Sequence, residues 1–261
     1  MALQEARLTA TGIEFDREWM LVRDSGEFVT QRELPALALI ETRLTPQALE
    51  LAAPGMPPLS INLVPGADRA RSRVTVWRDA VDADDEGDGP AHWFSEFVGT
   101  PLRLMRFAPG FRRVSNPEYT REHEGLAKFA DGYAVLVIGA ASLADLNRRL
   151  QGNGSAALPM NRFRPNLVLA GDDLGPYDED RLTWLKRDGI ALKPVKGCVR
   201  CSITTTDQAT GQRDAEPLLT LASYRVDEAL GGPVFGQNVI VVEGAGRTLR
   251  VGDALDIEWN F

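Results

Sequence analysis

The stretch "EWMLVRDSGEFVTQRE", residues 18–33, consists of two β-forming runs on either side of Ser25-Gly26. Two such runs joined by a glycine-containing turn are typical of a β-hairpin. Short runs with partial alternation of apolar and polar residues follow, and no long helical period interrupts them: "LALIETRL" (37–44), "LSINLV" (59–64) and "RVTVW" (73–77). The first hundred residues are therefore predicted to be mainly β.

The remainder of the chain continues this pattern. A buried strand is predicted at "YAVLVIG" (133–139), and short helices at "AHWFSEFVG" (91–99) and at "SLADLNRRL" (142–150), the latter with Ser142 as N-cap. Further strands are predicted at "NLVLAG" (166–171), "IALKPV" (190–195), "CSITTTD" (201–207), "NVIVVEG" (238–244) and "TLRVGDALDIEW" (248–259). We expect a mostly β fold of two β-barrel-like domains with a few short helices, residues 1–106 and 107–261.

Composition limits the classes of function. The 261 residues carry a net charge of -8 and a pI near 5.0, which disfavours direct nucleic-acid binding. The longest apolar run, "YAVLVIGAASLA" (133–144), is shorter than the roughly 20 residues needed to cross a bilayer. We expect a cytoplasmic protein without a signal peptide. The acidic run "DAVDADDEGDGP" (79–90) is predicted to be a solvated loop or, alternatively, a docking site for a basic redox partner.

The two cysteines of the chain, Cys198 and Cys201, lie two residues apart in "KGCVRC". A structural disulfide is disfavoured in a reducing compartment. A zinc site lacks ligands, since His92 and His123 are in other segments. A thioredoxin-like pair would precede a helix, whereas "SITTT" favours a strand.

Charge near the cysteines leaves two interpretations open. Residues 189–206 contain three bases and no acid, namely Lys193, Lys196 and Arg200. Neighbouring cations favour a thiolate, but a buried, small and apolar cysteine fits equally well. A second basic segment is "MNRFRPNLVLAG" (160–171), in which an extended chain would place Arg162 and Arg164 on one face. Pro165 favours an extended Arg164, and such arginines can hold a phosphate or a carboxylate.

Several of these segments, taken in order, resemble MOSC proteins, the family named for the C-terminal domain of molybdenum cofactor sulfurase. They are "GIEFDREWMLV", "FVTQRE", "MNRFRPNLVLAG", "CVRCSITTTDQATGQRDAEPLLTLASYR", "VFGQNVIV" and "LRVGDAL". The resemblance is to the branch with an N-terminal MOSC β-barrel domain, which includes the mitochondrial amidoxime reducing component and bacterial reductases of N-hydroxylated bases.

This resemblance implies a molybdenum ion held by a pyranopterin dithiolene and by one protein cysteine, which Cys201 matches. Soft thiolate suits such a metal. The resemblance also implies that the cofactor lies between the two domains and is bound by Arg17, Asp131, Gly132, Tyr133, Arg164, Pro165, Asn166, Val199, Arg200 and Asn238.

The implied activity is reduction of N-hydroxylated small molecules, such as amidoximes, hydroxylamines and N-hydroxylated bases. Relatives often carry a further N-terminal strand with a phosphate-contacting turn, a C-terminal ferredoxin domain or a membrane anchor, and none of these is recognised in the 261 residues. A separate ferredoxin-like protein or flavoprotein is therefore expected to donate the electrons. The alternative is a sulfur carrier that uses a cysteine persulfide and works with a separate pyridoxal-phosphate desulfurase.

Overall fold

A computed structural model describes residues 1–66 and 69–260, and the fold is mostly β as predicted. The strands are β1 (Glu5–Thr9), β2 (Gly12–Ile13), β3 (Trp19–Val22), β4 (Phe28–Val29), β5 (Glu41–Leu44), β6 (Ala48–Ala52), β7 (Leu59–Asn62), β8 (Arg71–Val76), β9 (Asp79–Asp85), β10 (Arg103–Phe107), β11 (Val135–Gly139), β12 (Leu167–Leu169), β13 (Leu182–Arg187), β14 (Ile190–Val199), β15 (Val226–Asp227), β16 (Gly232–Glu243), β17 (Thr248–Arg250) and β18 (Asp256–Trp259). The α-helices are α1 (Asp88–Val98), α2 (Pro117–Thr120), α3 (Ala140–Gly152) and α4 (Leu218–Ala222). Short 3-10 helices span Pro35–Leu39, Met160–Arg162, Asp178–Arg181 and Ser202–Thr205.

The chain folds into two compact units, and neither is continuous in sequence. The first unit comprises Met1–Ala2, Arg17–Arg113 and Thr206–Arg213. The second comprises Leu3–Asp16, Val114–Thr205 and the chain from Asp214 onward. The segments Leu3–Asp16 and Thr206–Arg213 thus belong to a different unit from the residues on either side of them. The domain bounds at residues 106 and 107 stay a prediction.

The first unit contains a five-stranded sheet of order β4-β3-β10-β9-β8 and a three-stranded sheet of order β5-β6-β7. The predicted hairpin is confirmed, because β3 and β4 pair antiparallel with Leu21 opposite Val29. The predicted helix is confirmed as α1, which buries Trp93 and Phe94 in a core with Leu102 and Leu104. This apolar core fixes the two sheets and α1 within the unit.

The acidic run is not a solvated loop, so that prediction was wrong. Its first seven residues form β9, which pairs with β8 on one side and with β10 on the other. Arginines on β8, on β10 and in the loop after β10 neutralise its carboxylates. The pairs are Arg71–Asp84 (2.8 Å), Arg73–Asp82 (3.1 Å), Arg103–Asp85 (2.5 Å) and Arg113–Asp79 (2.7 Å). Opposite charges on adjacent strands stabilise such pairing. These carboxylates are already partnered within the protein, which weakens the case for a docking site there.

The second unit contains a three-stranded sheet of order β17-β1-β2 and a larger sheet whose main path is β12-β11-β16-β14-β13-β18. Most contacts in the larger sheet are antiparallel, and β11 and β12 pair parallel. One apolar cluster lies around Val137, Leu192 and Val239, and another lies where α3 meets Phe163 and Phe235. The strands predicted from residue 133 onward are confirmed except at "CSITTTD", and the segment 248–259 is divided into β17 and β18, which belong to different sheets.

The predicted N-cap of the helix after β11 was wrong. Helix α3 begins at Ala140 with Gly139 as its N-cap residue. The Ser142 hydroxyl instead accepts from the Tyr177 backbone N–H at 2.8 Å and donates to Glu179 Oε2 at 2.6 Å. Desolvation by burial raises the pKa of the Glu179 carboxyl. Its Oε1 has no hydrogen-bond partner among the described residues. A tertiary contact has thus replaced the local cap.

Among the described residues, none of the helices combines the length and the apolar character that a membrane span requires.

Candidate functional site

The cysteine segment leaves the sheet before Cys201. Strand β14 ends at Val199, and Ser202–Thr205 forms a 3-10 helix, so the prediction of a strand at "SITTT" was wrong. The Thr204 and Thr205 hydroxyls donate to the carbonyls of Cys201 and Ser202, at 2.9 and 2.8 Å. Such local bonds from hydroxyl to backbone compete with strand pairing. They place the half-buried Cys201 at the start of a tight turn.

Neither cysteine forms a disulfide. Across residues 1–66 and 69–260, no three side chains of histidine, cysteine, aspartate or glutamate cluster in a way that could hold a metal ion. A metal bound by Cys201 would therefore need ligands from a cofactor in addition to this one sulfur.

The Arg162 side chain is hydrogen-bonded to the backbone of this turn. It is buried, and Nε donates to Thr204 O while Nη2 donates to Thr205 O, each at 2.9 Å. Nη2 also reaches Glu216 O at 3.4 Å. These charge-assisted bonds fix the backbone that follows Cys201. Arg162 is thus a structural clamp on the cysteine turn.

Arg164 is placed quite differently, and two predictions about it were wrong. Arg162 ends a 3-10 helix and is buried, whereas Arg164 is exposed, so the two side chains do not share an extended face. Arg164 has φ +56°, a left-handed backbone, in place of the extended conformation expected before Pro165. Non-glycine residues with positive φ cost energy and cluster at functional sites.

Asn166 and Asn238 lie on neighbouring elements beside β11. The Asn166 side chain accepts from Leu136 N at 2.9 Å and donates to Asp16 Oδ2 at 2.8 Å. Asn238, on β16, is opposite Leu136 on β11 and Lys196 on β14.

A glycine allows β16 to pass close to β11. Gly236 has φ +81°, and a Cβ there would come within 2.7 Å of Val137 O. Only glycine accommodates both the backbone conformation and this close approach. The "FGQN" segment thereby sets the course of the strand that carries Asn238.

Arg200 joins the two basic segments. Its Nη2 donates to Phe163 O at 2.7 Å, which brings Arg200 next to the residue preceding Arg164. Its Nη1 donates to Cys198 Sγ at 3.0 Å. The Arg200 side chain is buried, and its Nε has no hydrogen-bond partner among the described residues. An anionic cofactor fits this arrangement, because the unused Nε–H of this buried cation can donate a hydrogen bond to a negatively charged group.

The remaining predicted positions are distributed more widely. Asp131, Gly132 and Tyr133 lie in the bend before β11, and Val199 is at the exposed end of β14. Burial, with smaller contributions from Tyr119 and Glu118, raises the pKa of Tyr133 to about 12, so its phenol keeps its proton at neutral pH. Arg17 is half-buried in the first unit with φ +48°.

The structure thus brings together part of the predicted set within the second unit. The segments 163–166 and 198–201 are linked directly through Arg200, and Asn166 and Asn238 flank β11. Sequence reasoning missed the clamp formed by Arg162 and the contact between Cys198 and Arg200. The absence of acids in residues 189–206 was the one available signal for the second of these.

Comparisons with known proteins match both halves of the chain. Residues 1–101 match the family model described as MOSC N-terminal beta barrel domain, and residues 124–256 match the model described as MOSC domain. Mitochondrial amidoxime-reducing component 1 of Mus musculus is 35% identical over 97% of this chain and 76% of that protein. The Homo sapiens protein of the same name is 34% identical over 96% and 76%. Molybdenum cofactor sulfurase of Oryza sativa subsp. japonica is 32% identical over 94% of this chain and 32% of that protein.

Proposed function

Because the chain belongs to the MOSC family, whose relatives point to the molybdenum cofactor, we propose that it is a molybdenum-dependent reductase of N-hydroxylated small molecules. In such a reduction an N–OH group takes up two electrons and two protons and yields an N–H group and water. Electrons would come from a separate ferredoxin-like protein or flavoprotein, and we place the reaction in the cytoplasm. The proposed cofactor is the molybdenum-pyranopterin.

The observation that carries this proposal is the buried guanidinium of Arg200 beside the cysteine turn. Its Nε is without a hydrogen-bond partner among the described residues, and burying such a group without a counter-charge is costly. A phosphate or an anionic dithiolene would remove that cost. The Arg200 guanidinium therefore supports binding of an anionic ligand in the second unit. Cys201, the next residue in the chain, lies beside it.

Individual residues would then have distinct roles. Cys201 would supply the soft sulfur ligand, while Arg164, Pro165, Asn166, Val199, Arg200 and Asn238 would hold the phosphate and the pterin, together with Arg17, Asp131, Gly132 and Tyr133. Tyr133 offers a hydroxyl donor, since its phenol is protonated at neutral pH. When bound, the cofactor supplies the exchange of two electrons and of oxygen, and the protein supplies binding and orientation.

The decisive experiment replaces the proposed ligand. Cys201→Ser should abolish reduction of an aromatic amidoxime in protein made in a host that synthesises the cofactor. Reduced viologen as electron source keeps the result independent of any protein donor. Ser202→Ala is the matched control, because Ser202 is the exposed neighbour and should retain activity. Activity that survives in Cys201→Ser would contradict the proposal.

A second candidate is a sulfur carrier in which Cys201 holds a persulfide supplied by a separate pyridoxal-phosphate desulfurase. The likeness to a protein named molybdenum cofactor sulfurase favours keeping it. Purified wild-type protein separates the two functions. Stoichiometric molybdenum supports the reductase, and cyanide-labile sulfur without metal supports the carrier.

A further inference from the structure

The guanidinium of Arg200 is oriented by two contacts on one edge. Nη2 donates to the Phe163 carbonyl at 2.7 Å, and Nη1 donates to the sulfur of Cys198 at 3.0 Å. The backbone N–H of Arg200 is fixed separately, by Pro233 O at 2.8 Å. Nε is buried with no partner among the described residues. The direction in which Nε points is therefore set by one carbonyl and one sulfur.

Within residues 1–66 and 69–260, no carboxylate lies within ion-pairing distance of Arg200. The ion pairs of the described residues involve other basic side chains, and Arg200 additionally contacts the Phe163 ring, whose centroid is 5.8 Å from Cζ. The sulfur of Cys198 is thus the one side-chain atom among the described residues that accepts a hydrogen bond from this guanidinium. Hydrogen bonds with an ionised donor are roughly twice as strong as neutral ones.

Packing and hydrogen bonds fix the orientation of the Cys198 side chain. It is half-buried and packs against the apolar cluster that contains Phe163 and Phe235. Its sulfur is also placed to donate to Val199 O at 3.9 Å while it accepts from Arg200. A thiol that donates and accepts at the same time has little rotational freedom, because both contacts favour a single side-chain orientation.

We infer that Cys198 is a positioning residue, whose sulfur aims the Arg200 guanidinium at the anionic group of the cofactor. This inference rests on the proposed function for the identity of the anion, and on the contacts above for the orientation of Arg200. The two cysteines then have different tasks. Cys201 is the proposed metal ligand, and Cys198 acts through Arg200 without touching the metal.

Two substitutions distinguish this role from simple packing. Serine at position 198 keeps a group that can accept from Nη1, whereas alanine removes it. Cys198→Ala should therefore retain about tenfold less cofactor on dilution, while Cys198→Ser should stay within about threefold of wild type. A packing role predicts the reverse order, because alanine remains apolar against the Phe163 cluster and serine does not. Molybdenum content and the fluorescence of the released, oxidised pterin measure retention without relying on turnover.

A double-mutant cycle adds the partner residue. Arg200→Gln alone should lower retention at least as much as Cys198→Ala, and combining the two should add little further loss. Independent, additive losses would overturn the inference, since Cys198 would then act on the cofactor by another route.

A measurement on protein without cofactor decides the orientation separately. In ¹H–¹⁵N spectra of the apo protein, the Arg200 Nε–H should give a resolved signal with slow exchange, assigned by its loss in Arg200→Gln. Cys198→Ala should broaden or shift this signal, and Cys198→Ser should preserve it. An unchanged signal in Cys198→Ala would refute the positioning role. A wild-type protein that binds neither molybdenum nor pterin would refute the proposed function instead, and the signal would still decide whether Cys198 orients Arg200.

Discussion

In the first unit, Arg106 and Glu86 are both almost fully buried, and Nε of Arg106 lies 2.6 Å from the Glu86 carboxylate. In the second unit, Arg200 is also buried, but its donors meet a carbonyl oxygen and a sulfur. Glu179 is the acidic counterpart, since it is buried, accepts the Ser142 hydroxyl and forms no ion pair among the described residues. Asp145 is an exception in the second unit, because it pairs with Arg148 and Arg149.

The buried charge of Arg106 is neutralised by a carboxylate of the protein, whereas the buried charge of Arg200 remains available to a ligand. Buried ion pairs such as Arg106–Glu86 balance desolvation with an opposite charge and with further hydrogen bonds. A buried cation without a carboxylate keeps its field, which attracts an anion in a protein of net charge -8. Among the described residues, the cysteine turn is therefore better suited to an anionic ligand than the acidic strand is.

The largest expected effect concerns the buried ion pair of Arg106 and Glu86 in the first unit. Glu86→Ala should lower the free energy of unfolding by about 3–5 kcal/mol, because it removes the close counter-charge of the buried Arg106 and leaves only the Glu18 carboxylate, at 3.9 Å. Glu86 also accepts from the Trp19 indole at 2.8 Å, and that bond is lost as well. Urea unfolding measures the change. The control is Glu50→Ala, which removes an exposed pair with Arg43 and should cost about 1 kcal/mol or less.

An intermediate effect concerns the two arginines of the "NRFRPN" segment. Arg162→Ala should lower the free energy of unfolding by about 2–4 kcal/mol, since it removes the charged donor from the carbonyls of Thr204 and Thr205, of which Thr205 O keeps the Asp214 N–H at 3.2 Å. Arg164→Ala should change it by only about 0.5 kcal/mol, because Arg164 is exposed.

Cofactor retention completes that comparison. Arg164→Ala should weaken retention by about tenfold to a hundredfold with its stability intact, as expected for a lost charge-assisted contact. Arg162→Ala should lose cofactor only together with stability. Thermal unfolding and molybdenum content are measured on the same samples. Equal retention in wild type and Arg164→Ala would mean that this position does not contact the ligand.

The smallest effect is the pH dependence contributed by Glu179. Because burial raises its pKa above the ordinary value of 4.5, the folded protein binds more protons than the unfolded chain between that value and the raised one. Stability should therefore fall as pH rises through this window. Glu179→Gln removes the ionisation, so the stability of wild type relative to this variant should decline with rising pH. A relative stability that is flat, or that rises, would contradict a raised pKa of the buried Glu179 carboxyl.

Strand positions could largely be predicted from local sequence, because alternation and β-branched residues describe a half-buried sheet directly. The acidic strand had the same signal, since Val81 and Ala83 alternate with acids and are fully buried. Its arginine partners lie 9 to 34 residues away, so their pairing depended on register that no local pattern specifies. At "SITTT" the threonine hydroxyls outweighed β propensity by bonding to the backbone.

The candidate site was predictable mainly through resemblance. Position in the family motif indicates Cys201 and Arg164, whereas the roles of Arg162 and Cys198 depend on side-chain direction. An extended chain would have put Arg162 and Arg164 on one face, but the 3-10 helix and the positive φ of Arg164 separated them. Contacts of this kind follow from the folded backbone and cannot be read from spacing alone.

The pairing of β1 with β17 has a consequence for synthesis on the ribosome. Glu5 lies opposite Arg250, so the first strand must wait for a partner made nearly 250 residues later. At roughly 5–20 residues per second, that delay is on the order of 10 to 50 seconds. During it, one edge of β1 exposes unpaired N–H and C=O groups, which can pair with another nascent chain. Yield in a cell should therefore depend on translation speed and on holding chaperones, even though each unit has its own apolar core.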